Sequence, residues 1–451
     1  MRLPWPALML GMTWSCGGHV GDAAQSFARD ASVDVHSVAD SSIDAVRDSE
    51  VVEAETGLQS CTFSGFGSPT TYKTAYVPNS IFVYSPRGGP PDFAVDEPYG
   101  PNDGGAESFF EFFANSGTGA FAPGTFHGAS GNNFANAVTG DFRLSGFADV
   151  ASIELSAMGA PNGVLTIDRN LDDGGYDNKL ITYHSPEPGG NLAVGDFNGD
   201  GYVDLAMAGS WVSGPCLERC ESSSAMSVYF NLRDGTLAPP VTYASGSMTA
   251  IATGDFNGDG HLDIALLPNA IMLNNGDGSF GDPVAVPSVL SSVSGMDASN
   301  YYATLFPWVV GDFNGDGLTD IATSAMTTAN VNELIVFPCT GGGAFGQPIT
   351  IALSGEVQNM VVGDFNGDGH SDIAIQYQTP SVADGGVNAP LAVGLLLNRG
   401  DGSFGSETFY AMGPNPCSIA VADFNGDGVS DLAVVNGGSG NGVTVMLSQC
   451  H

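Results

Sequence analysis

The chain has 451 residues, enough for two or three domains, and it carries 49 acidic against 11 basic residues for a net charge of −38. This balance argues against nucleic acid and anionic membrane surfaces as partners, because both require Lys and Arg. Apolar residues make up 43% of the chain and charged residues only 13%, which excludes a protein that is disordered throughout. The composition suits an acidic extracellular protein, or one whose carboxylates hold cations.

The first sixty residues are typical of an export signal and a tether. Arg2 and the apolar run 3–14 predict a signal peptide over 1–15, since the run is too short to span a bilayer. Cys16 follows, and this start resembles a bacterial lipoprotein signal; lipidation of Cys16 and ordinary cleavage nearby both stay open. Residues 16–60, rich in Asp, Ser and Ala, predict a disordered tether. We expect a secreted or cell-surface protein that contacts a membrane only through a lipid anchor, as an outer-membrane lipoprotein would.

From residue 61 onward the chain is a tandem repeat. The phrase GDFNGDG, or once ADFNGDG, begins at Gly195, Gly254, Gly311, Gly363 and Ala422. Decayed copies lie at 140–151 and 83–94. The last acid of the motif recurs every 52 to 59 residues, at Asp92, Asp149, Asp204, Asp263, Asp320, Asp372 and Asp431. The spacing predicts seven structural units.

Each unit contains four short runs rich in Val, Ile, Tyr and Phe, bounded by Asn-Gly or Asp-Gly turns, which predict strands. Four antiparallel strands per unit, repeated radially, predict an all-β, seven-bladed β-propeller over 61–451. The last unit stops after its third strand, and segment 61–72 matches the missing fourth strand. We therefore expect the N-terminal strand to close the last blade. Cys61 and Cys450 would then meet, and a disulfide between them would close nearly the whole domain.

The repeated acidic phrase is D-x-N-x-D-G-x-x-D. Side-chain oxygens at positions 1, 3, 5 and 9, with a backbone carbonyl at position 7, form a ligand set that Ca²⁺ takes. The glycine at position 6 permits the sharp turn, and the phenylalanine at position 2 is expected to pack between blades. We predict about five Ca²⁺ ions. Their ligands would be Asp196, Asn198, Asp200, Tyr202 and Asp204; Asp255, Asn257, Asp259, His261 and Asp263; Asp312, Asn314, Asp316, Leu318 and Asp320; Asp364, Asn366, Asp368, His370 and Asp372; and Asp423, Asn425, Asp427, Val429 and Asp431.

Other readings of this phrase fit less well. An EF-hand needs a glutamate at position 12, which is absent from all five copies, and a nonapeptide calcium roll needs motifs in immediate tandem. A metal-free acidic turn remains the alternative. In the copy at 140–151, Arg143 and Ser145 replace two ligands, and we hypothesise that Arg143 lies across Asp141 and Asp149 as a built-in cation. The first copy keeps only Asp92 and is expected to be empty.

The phrases GDFNGDGxxDIA and DGSFG resemble the FG-GAP and VCBS-type repeats of integrin alpha-chain propellers and of many secreted bacterial proteins. The resemblance covers about residues 61–450. It implies a propeller with Ca²⁺ in the loop that joins strands one and two of a blade. That family includes adhesion receptors, lectin-like binders and non-catalytic parts of polysaccharide-degrading enzymes, so the fold alone does not assign a function.

Candidate sites outside the acidic loops are few. No G-x-S-x-G, H-E-x-x-H or Walker-type phrase occurs. The rings of His261 and His370 are expected to face solvent, and Cys216 and Cys220 predict a local disulfide. Long insertions are predicted opposite the acidic loops, at 209–224, 287–307 and 376–390. They carry the possible ligand-binding aromatics Trp211, Tyr301, Tyr302 and Tyr377, for which simple loop packing is the alternative.

Taken together, the sequence predicts a monomeric, calcium-stabilised module that binds a glycan or an extracellular protein without catalysis. Two alternatives stay open, a polysaccharide lyase or hydrolase on a propeller scaffold and a structural spacer.

Overall fold

The computed structural model describes the chain from Phe63 to Cys450 in segments. These are residues 63–78, 80–84, 90–97, 109–128, 134–145, 148–154, 164–169, 181–184, 191–213, 221–244, 250–287, 307–326, 331–377, 392–413, 415–437 and 441–450. The predicted signal peptide, Cys16 and the tether lie outside these segments. Within them, no helix is long and apolar enough to cross a membrane.

The described strands form seven antiparallel four-stranded sheets; six are simple meanders, and the seventh combines three C-terminal strands with one N-terminal strand. In chain order, blade 1 contains Ser80–Tyr84, Asp92–Glu97, Phe109–Phe113 and Thr125–Gly128; blade 2 contains Phe134–Gly140, Asp149–Glu154, Val164–Asp168 and Ile181–His184; blade 3 contains Asn191–Gly195, Asp204–Ser213, Glu221–Tyr229 and Val241–Ala244; blade 4 contains Ala250–Gly254, Asp263–Leu267, Ala270–Met272 and Val284–Ala285; blade 5 contains Trp308–Gly311, Asp320–Met326, Asn332–Phe337 and Ile349–Leu353; blade 6 contains Val357–Gly363, Asp372–Tyr377, Ala392–Leu396 and Thr408–Ala411; blade 7 contains Pro416–Ala422, Asp431–Asn436, Gly442–Met446 and Thr70–Tyr72.

The blades form a closed ring. The first strand of every blade contacts the first strand of the next, and that of blade 7 contacts that of blade 1. Blade 7 takes its fourth strand from the N-terminal side, since Thr70–Tyr72 pairs with Gly442–Met446. Next to it, Phe63–Phe66 pairs with Ser448–Cys450. The predicted seven-bladed propeller and its closure by the N-terminal strand are confirmed.

Apolar side chains on both faces of the inner strands explain why the blades stack. In blade 3, Leu205 and Met207 pack toward blade 2, whereas Ala206 and Ala208 pack toward blade 4. A strand that is buried on both faces has a continuous run of apolar residues in its sequence, as the inner strands of these blades do. Trp308 is 5% exposed and lies in the core between blades 4 and 5.

One predicted insertion differs in form. Residues 209–224 were expected to be a loop, but the second and third strands of blade 3 continue through Ser213 and from Glu221, with Trp211 opposite Ser223. The hairpin is long because this segment keeps the ladder of main-chain hydrogen bonds. Most of the other two insertions, at 288–306 and 378–391, lies outside the described residues.

Candidate functional site

Each acidic loop curls around its own carboxylates. In blade 3 the Asp196 carboxylate accepts hydrogen bonds from the amides of Asp200 at 3.0 Å and Gly201 at 2.7 Å. Asn198 Oδ1 also accepts from the Asp200 amide, at 3.0 Å, and Asp200 Oδ1 accepts from the Tyr202 amide, at 2.9 Å. Gly201 has φ +84°, the left-handed conformation that position 6 requires. The loops of blades 4 to 7 repeat this pattern.

The aspartate at position 9 joins two parts of its blade. Asp204 is fully buried; its Oδ2 accepts from the Phe197 amide at 3.0 Å and its Oδ1 from the Asn231 amide at 2.8 Å. The same pair of bonds recurs at Asp263, Asp320, Asp372 and Asp431. In blade 1, Asp92 Oδ1 accepts from the Asn115 amide at 2.6 Å. This role in folding, which needs no ion, explains why the last acid survives in the decayed copies.

Burial strongly perturbs these aspartates. Desolvation raises the pKa of Asp204, Asp372 and Asp431 to about 7, against hydrogen bonds that lower it. The negative charges at positions 1 and 5 of the same loop raise it further. Desolvation likewise raises the pKa of Asp263 and Asp320 to about 6. Holding position 9 ionised therefore costs free energy unless a positive charge lies nearby.

Blade 2 supplies such a charge from its own chain. The guanidinium of Arg143 donates to both carboxylate oxygens of Asp149, at 2.9 and 3.3 Å, and the Asp149 side chain is fully buried. Asp141 accepts from the amides of Arg143 and Ser145. The hypothesised built-in cation thus lies against the position-9 carboxylate, in the loop that lost its second and third ligand residues.

The ligand residues of each acidic loop lie close together. Among the described residues, no three carboxylate, imidazole or thiolate side chains converge tightly enough to hold a metal. The carboxylate oxygens accept hydrogen bonds from amides of their own loop, and they retain further lone pairs that could ligate a cation. The donor set itself, oxygen throughout with three carboxylates per loop, fits a hard divalent cation. In blade 3, Arg233 also contacts Asp200, at 3.2 Å.

An asparagine at the end of the third strand is a functional residue that the sequence reasoning missed. In blade 4, Asn274 Nδ2 donates to Phe197 O of the preceding blade's loop at 2.7 Å and to Leu262 O of its own loop at 3.0 Å. Its Oδ1 accepts from the Gly276 amide, and its own amide donates to Asp263. We call this residue the latch. Asn115, Asn231 and Asn398 make the same contacts in blades 1, 3 and 6. The sequence signal was an asparagine that recurs at the same position in four repeats, two residues before the turn residue that has a positive φ.

The possible ligand face is described only in part. Tyr377 is half-buried between blades 5 and 6, and its hydroxyl donates to Glu407. The other Glu407 oxygen accepts from Ser354 Oγ at 2.6 Å. Burial is the main reason that the pKa of Tyr377 is raised, and its contact with Glu407 raises it further. These contacts make Tyr377 part of a packed polar network; Tyr301 and Tyr302 lie outside the described residues, as does the side chain of Trp211.

The other candidates occupy ordinary positions. His261 is exposed, and His370 is partly exposed beside the turn glycine Gly400. Cys339 is a buried free thiol on the acidic-loop side of blade 5. The predicted disulfides involve Cys61, Cys216 and Cys220, which lie outside the described residues, and Cys450, whose side chain is not described; both pairings stay predictions.

Comparison with known proteins agrees with this geometry. The family described as FG-GAP-like repeat matches residues 196–266, 312–375 and 382–434. No curated protein matches. Among solved structures, an Agrocybe aegerita lectin studied for recognition of non-reducing terminal N-acetylglucosamine is 16% identical, with 74% of this chain and 80% of that chain covered and a TM-score of 0.47. The WD40 domain of Toxoplasma gondii coronin is 9% identical, with 86% and 89% covered and a TM-score of 0.45. Neither likeness is close enough to bear on a ligand.

The ring of seven antiparallel sheets, with an acidic loop in each of blades 3 to 7, defines a β-propeller built from sequence repeats. This chain is a seven-bladed β-propeller that contains FG-GAP-like repeats within residues 196–434.

Proposed function

We propose that the protein is a calcium-stabilised extracellular propeller that binds a glycan or protein partner without catalysis. Its intact acidic loops, in blades 3 to 7, would each hold one Ca²⁺ through the oxygens at positions 1, 3, 5 and 9 and the carbonyl at position 7. The bound ion would neutralise a carboxylate cluster whose buried member resists ionisation.

The observation that carries the proposal is the contrast between blade 2 and the intact blades. Where ligand residues are lost, the Arg143 guanidinium lies on the buried Asp149. Where all ligand residues remain, three carboxylates share one loop, and the position-9 pKa is raised partly by the other two. A site that takes an arginine once its ligands are lost is one that favours a cation.

Binding is assigned to the face opposite the acidic loops. There the second and third strands of each blade connect, and blade 3 extends its hairpin through Trp211. A rigid ring that presents variable connections is suited to recognition. The same proposal includes export directed by the signal peptide and attachment through Cys16. It also includes the disulfides Cys61–Cys450 and Cys216–Cys220.

Calorimetric titration of Ca²⁺ into the metal-free full chain tests the scaffold, with about five ions expected. Asp364→Asn combined with Asp368→Asn should remove one ion, whereas Asp141→Asn, in the loop with Arg143, should remove none. Absence of Ca²⁺ binding would refute the calcium proposal. A glycan array probed with the loaded protein, with product analysis of any bound polysaccharide, then separates a binder from an enzyme.

A further inference from the structure

The position-2 phenylalanine is the residue through which each acidic loop is held. In blade 5, Phe313 donates its amide to Asp320 Oδ2 at 3.0 Å, and its ring is fully buried between blades 5 and 6. Its carbonyl accepts from the latch Asn398 of blade 6 at 2.8 Å. This carbonyl lies between ligand positions 1 and 3, so its orientation affects both ligands.

The latch therefore belongs to the following blade. Asn274 of blade 4 holds the blade 3 loop, Asn398 of blade 6 holds the blade 5 loop, and Asn115 of blade 1 holds the blade 7 loop through Phe424 O at 2.7 Å. The acidic loops of blades 3, 5 and 7 are therefore each held in part by an asparagine side chain of the following blade.

The intact loops of blades 4 and 6 meet a different residue at the latch position of the following blade. In blade 7 the equivalent residue is Ser448: its amide donates to Asp431 at 2.7 Å and its Oγ donates to Ser430 O at 2.5 Å, both within its own blade. These reproduce two latch contacts, but the described residues offer no side-chain donor to Phe365 O of the blade 6 loop. In blade 5 the equivalent is Cys339, whose Sγ donates to Phe256 O at 3.0 Å, assisted by the Gly343 amide at 3.1 Å.

We propose that the latch of the following blade sets the calcium affinity of each loop, so that the blade 6 loop, which lacks a side-chain latch, binds Ca²⁺ more weakly than the loops of blades 3, 5 and 7. The inference rests on the proposed calcium function. The blade 6 loop keeps its internal hydrogen bonds and one main-chain bond from blade 7, from the Ser430 amide to Asp364 O at 2.8 Å. A latched loop has in addition a side-chain bond that orients the peptide between ligand positions 1 and 3, and this added preorganisation should raise its Ca²⁺ affinity. Coupling is reciprocal: bound Ca²⁺ strengthens the seam to the next blade as much as the latch strengthens Ca²⁺ binding.

Hydrogen–deuterium exchange followed loop by loop during a Ca²⁺ titration of the full chain tests the coupling, because each loop peptide then reports its own midpoint. In the wild type, protection of 363–372 should require about three- to tenfold more Ca²⁺ than protection of 311–320, the range expected for one net hydrogen bond. Asn398→Ser imitates Ser448 and should raise the midpoint of 311–320 by a similar factor. Ser448→Asn should lower the midpoint of 363–372.

Asn231→Ser is the matched control. It removes the same bond from the blade 2 loop, where Asn231 Nδ2 donates to Phe142 O at 2.7 Å and no intact ligand set exists. Because Asn231 Nδ2 also donates to Val203 O of its own blade 3 loop at 3.0 Å, the control is read on the loops of blades 4 to 7. It should lower the melting temperature and move none of their calcium midpoints, whereas a purely structural latch would make Asn398→Ser behave the same way. Calcium protection with unchanged midpoints in Asn398→Ser and Ser448→Asn would overturn this inference and leave the proposed function standing. No calcium protection in any loop would overturn both.

Discussion

At the scale of single residues, Arg143 and the last aspartate of each repeat show how the fold manages buried negative charge. Arg143 is 24% exposed at its side chain, and its partner Asp149 is fully buried. Asp92, in the blade with no other ligand residue, is 6% exposed, and burial raises its pKa to about 6. Both residues act within their own blades, so their effects on stability should not depend on Ca²⁺.

Replacing Arg143 with methionine should lower the free energy of unfolding by about 2–4 kcal/mol, because it leaves the Asp149 carboxylate buried without its ion-pair partner. Chemical denaturation measures the change. Adding Asp149→Asn to the variant should recover part of the loss, since a neutral amide needs no counter-charge. Equal stability of wild type and Arg143→Met would contradict the built-in cation.

Asp92→Ala should cost about 1–3 kcal/mol, since the Asn115 amide loses its acceptor in a buried position. Melting temperatures with and without Ca²⁺ should fall by the same amount. A drop seen only in the presence of Ca²⁺ would show that blade 1 binds an ion after all, against the expectation for this copy.

At the scale of elements, the blade pattern was predictable because strand, turn and repeat signals agree: apolar runs, Asn-Gly turns and a recurring acid all point to one meander. The position-2 phenylalanines were also predictable, and Phe197, Phe256, Phe313, Phe365 and Phe424 are all at most 1% exposed between blades. The recurrence of the latch asparagine is visible in the sequence, but its bonding was not predictable, because its key bond joins Asn398 to a carbonyl 85 residues away. The extended hairpin of blade 3 was missed since Ser and Gly hide its strand signal.

The acidic loops should make stability depend on pH. The position-9 aspartates have folded-state pKa values of about 6 to 7, above their value near 3.8 when unfolded. The folded state therefore binds more protons between these values, and the ion-free protein should lose stability as pH rises from about 4 through 7.

Calcium should reverse the trend, because an ion that favours the ionised carboxylate is held best above pH 7 and is displaced as pH falls through 6. Melting temperatures of dialysed protein at pH 4.5 to 8, with and without added CaCl₂, measure both effects. The gap between the two curves should widen with pH; a constant gap would contradict ligation by position 9.

At the scale of the whole molecule, the ring depends on a short N-terminal segment. Thr70–Tyr72 covers Gly442–Met446, and the Tyr72 ring packs edge-on against Phe121 of blade 1, with centroids 5.3 Å apart. A chain that begins at residue 74 should expose an unpaired strand edge and self-associate, as open edges do. Sedimentation should show oligomers, whereas a chain that begins at residue 61 should stay monomeric.

A synthetic peptide of residues 61–73 added to the shortened chain should restore the monomer and raise its melting temperature. A shortened chain that is monomeric and as stable as the longer one would show that the fourth strand of blade 7 is dispensable.

The closure also has a consequence for the order of events during synthesis. Residues 63–72 are synthesised before any of the seven blades is complete, whereas their partners at 442–450 follow blade 6 in the chain. Blades 1 to 6 each take their four strands from one stretch of chain, whereas blade 7 combines the N-terminal Thr70–Tyr72 with strands that follow blade 6. The N-terminal strand therefore stays without its blade 7 partners until residues 442–450 are made, and ring closure follows the synthesis of the other six blades.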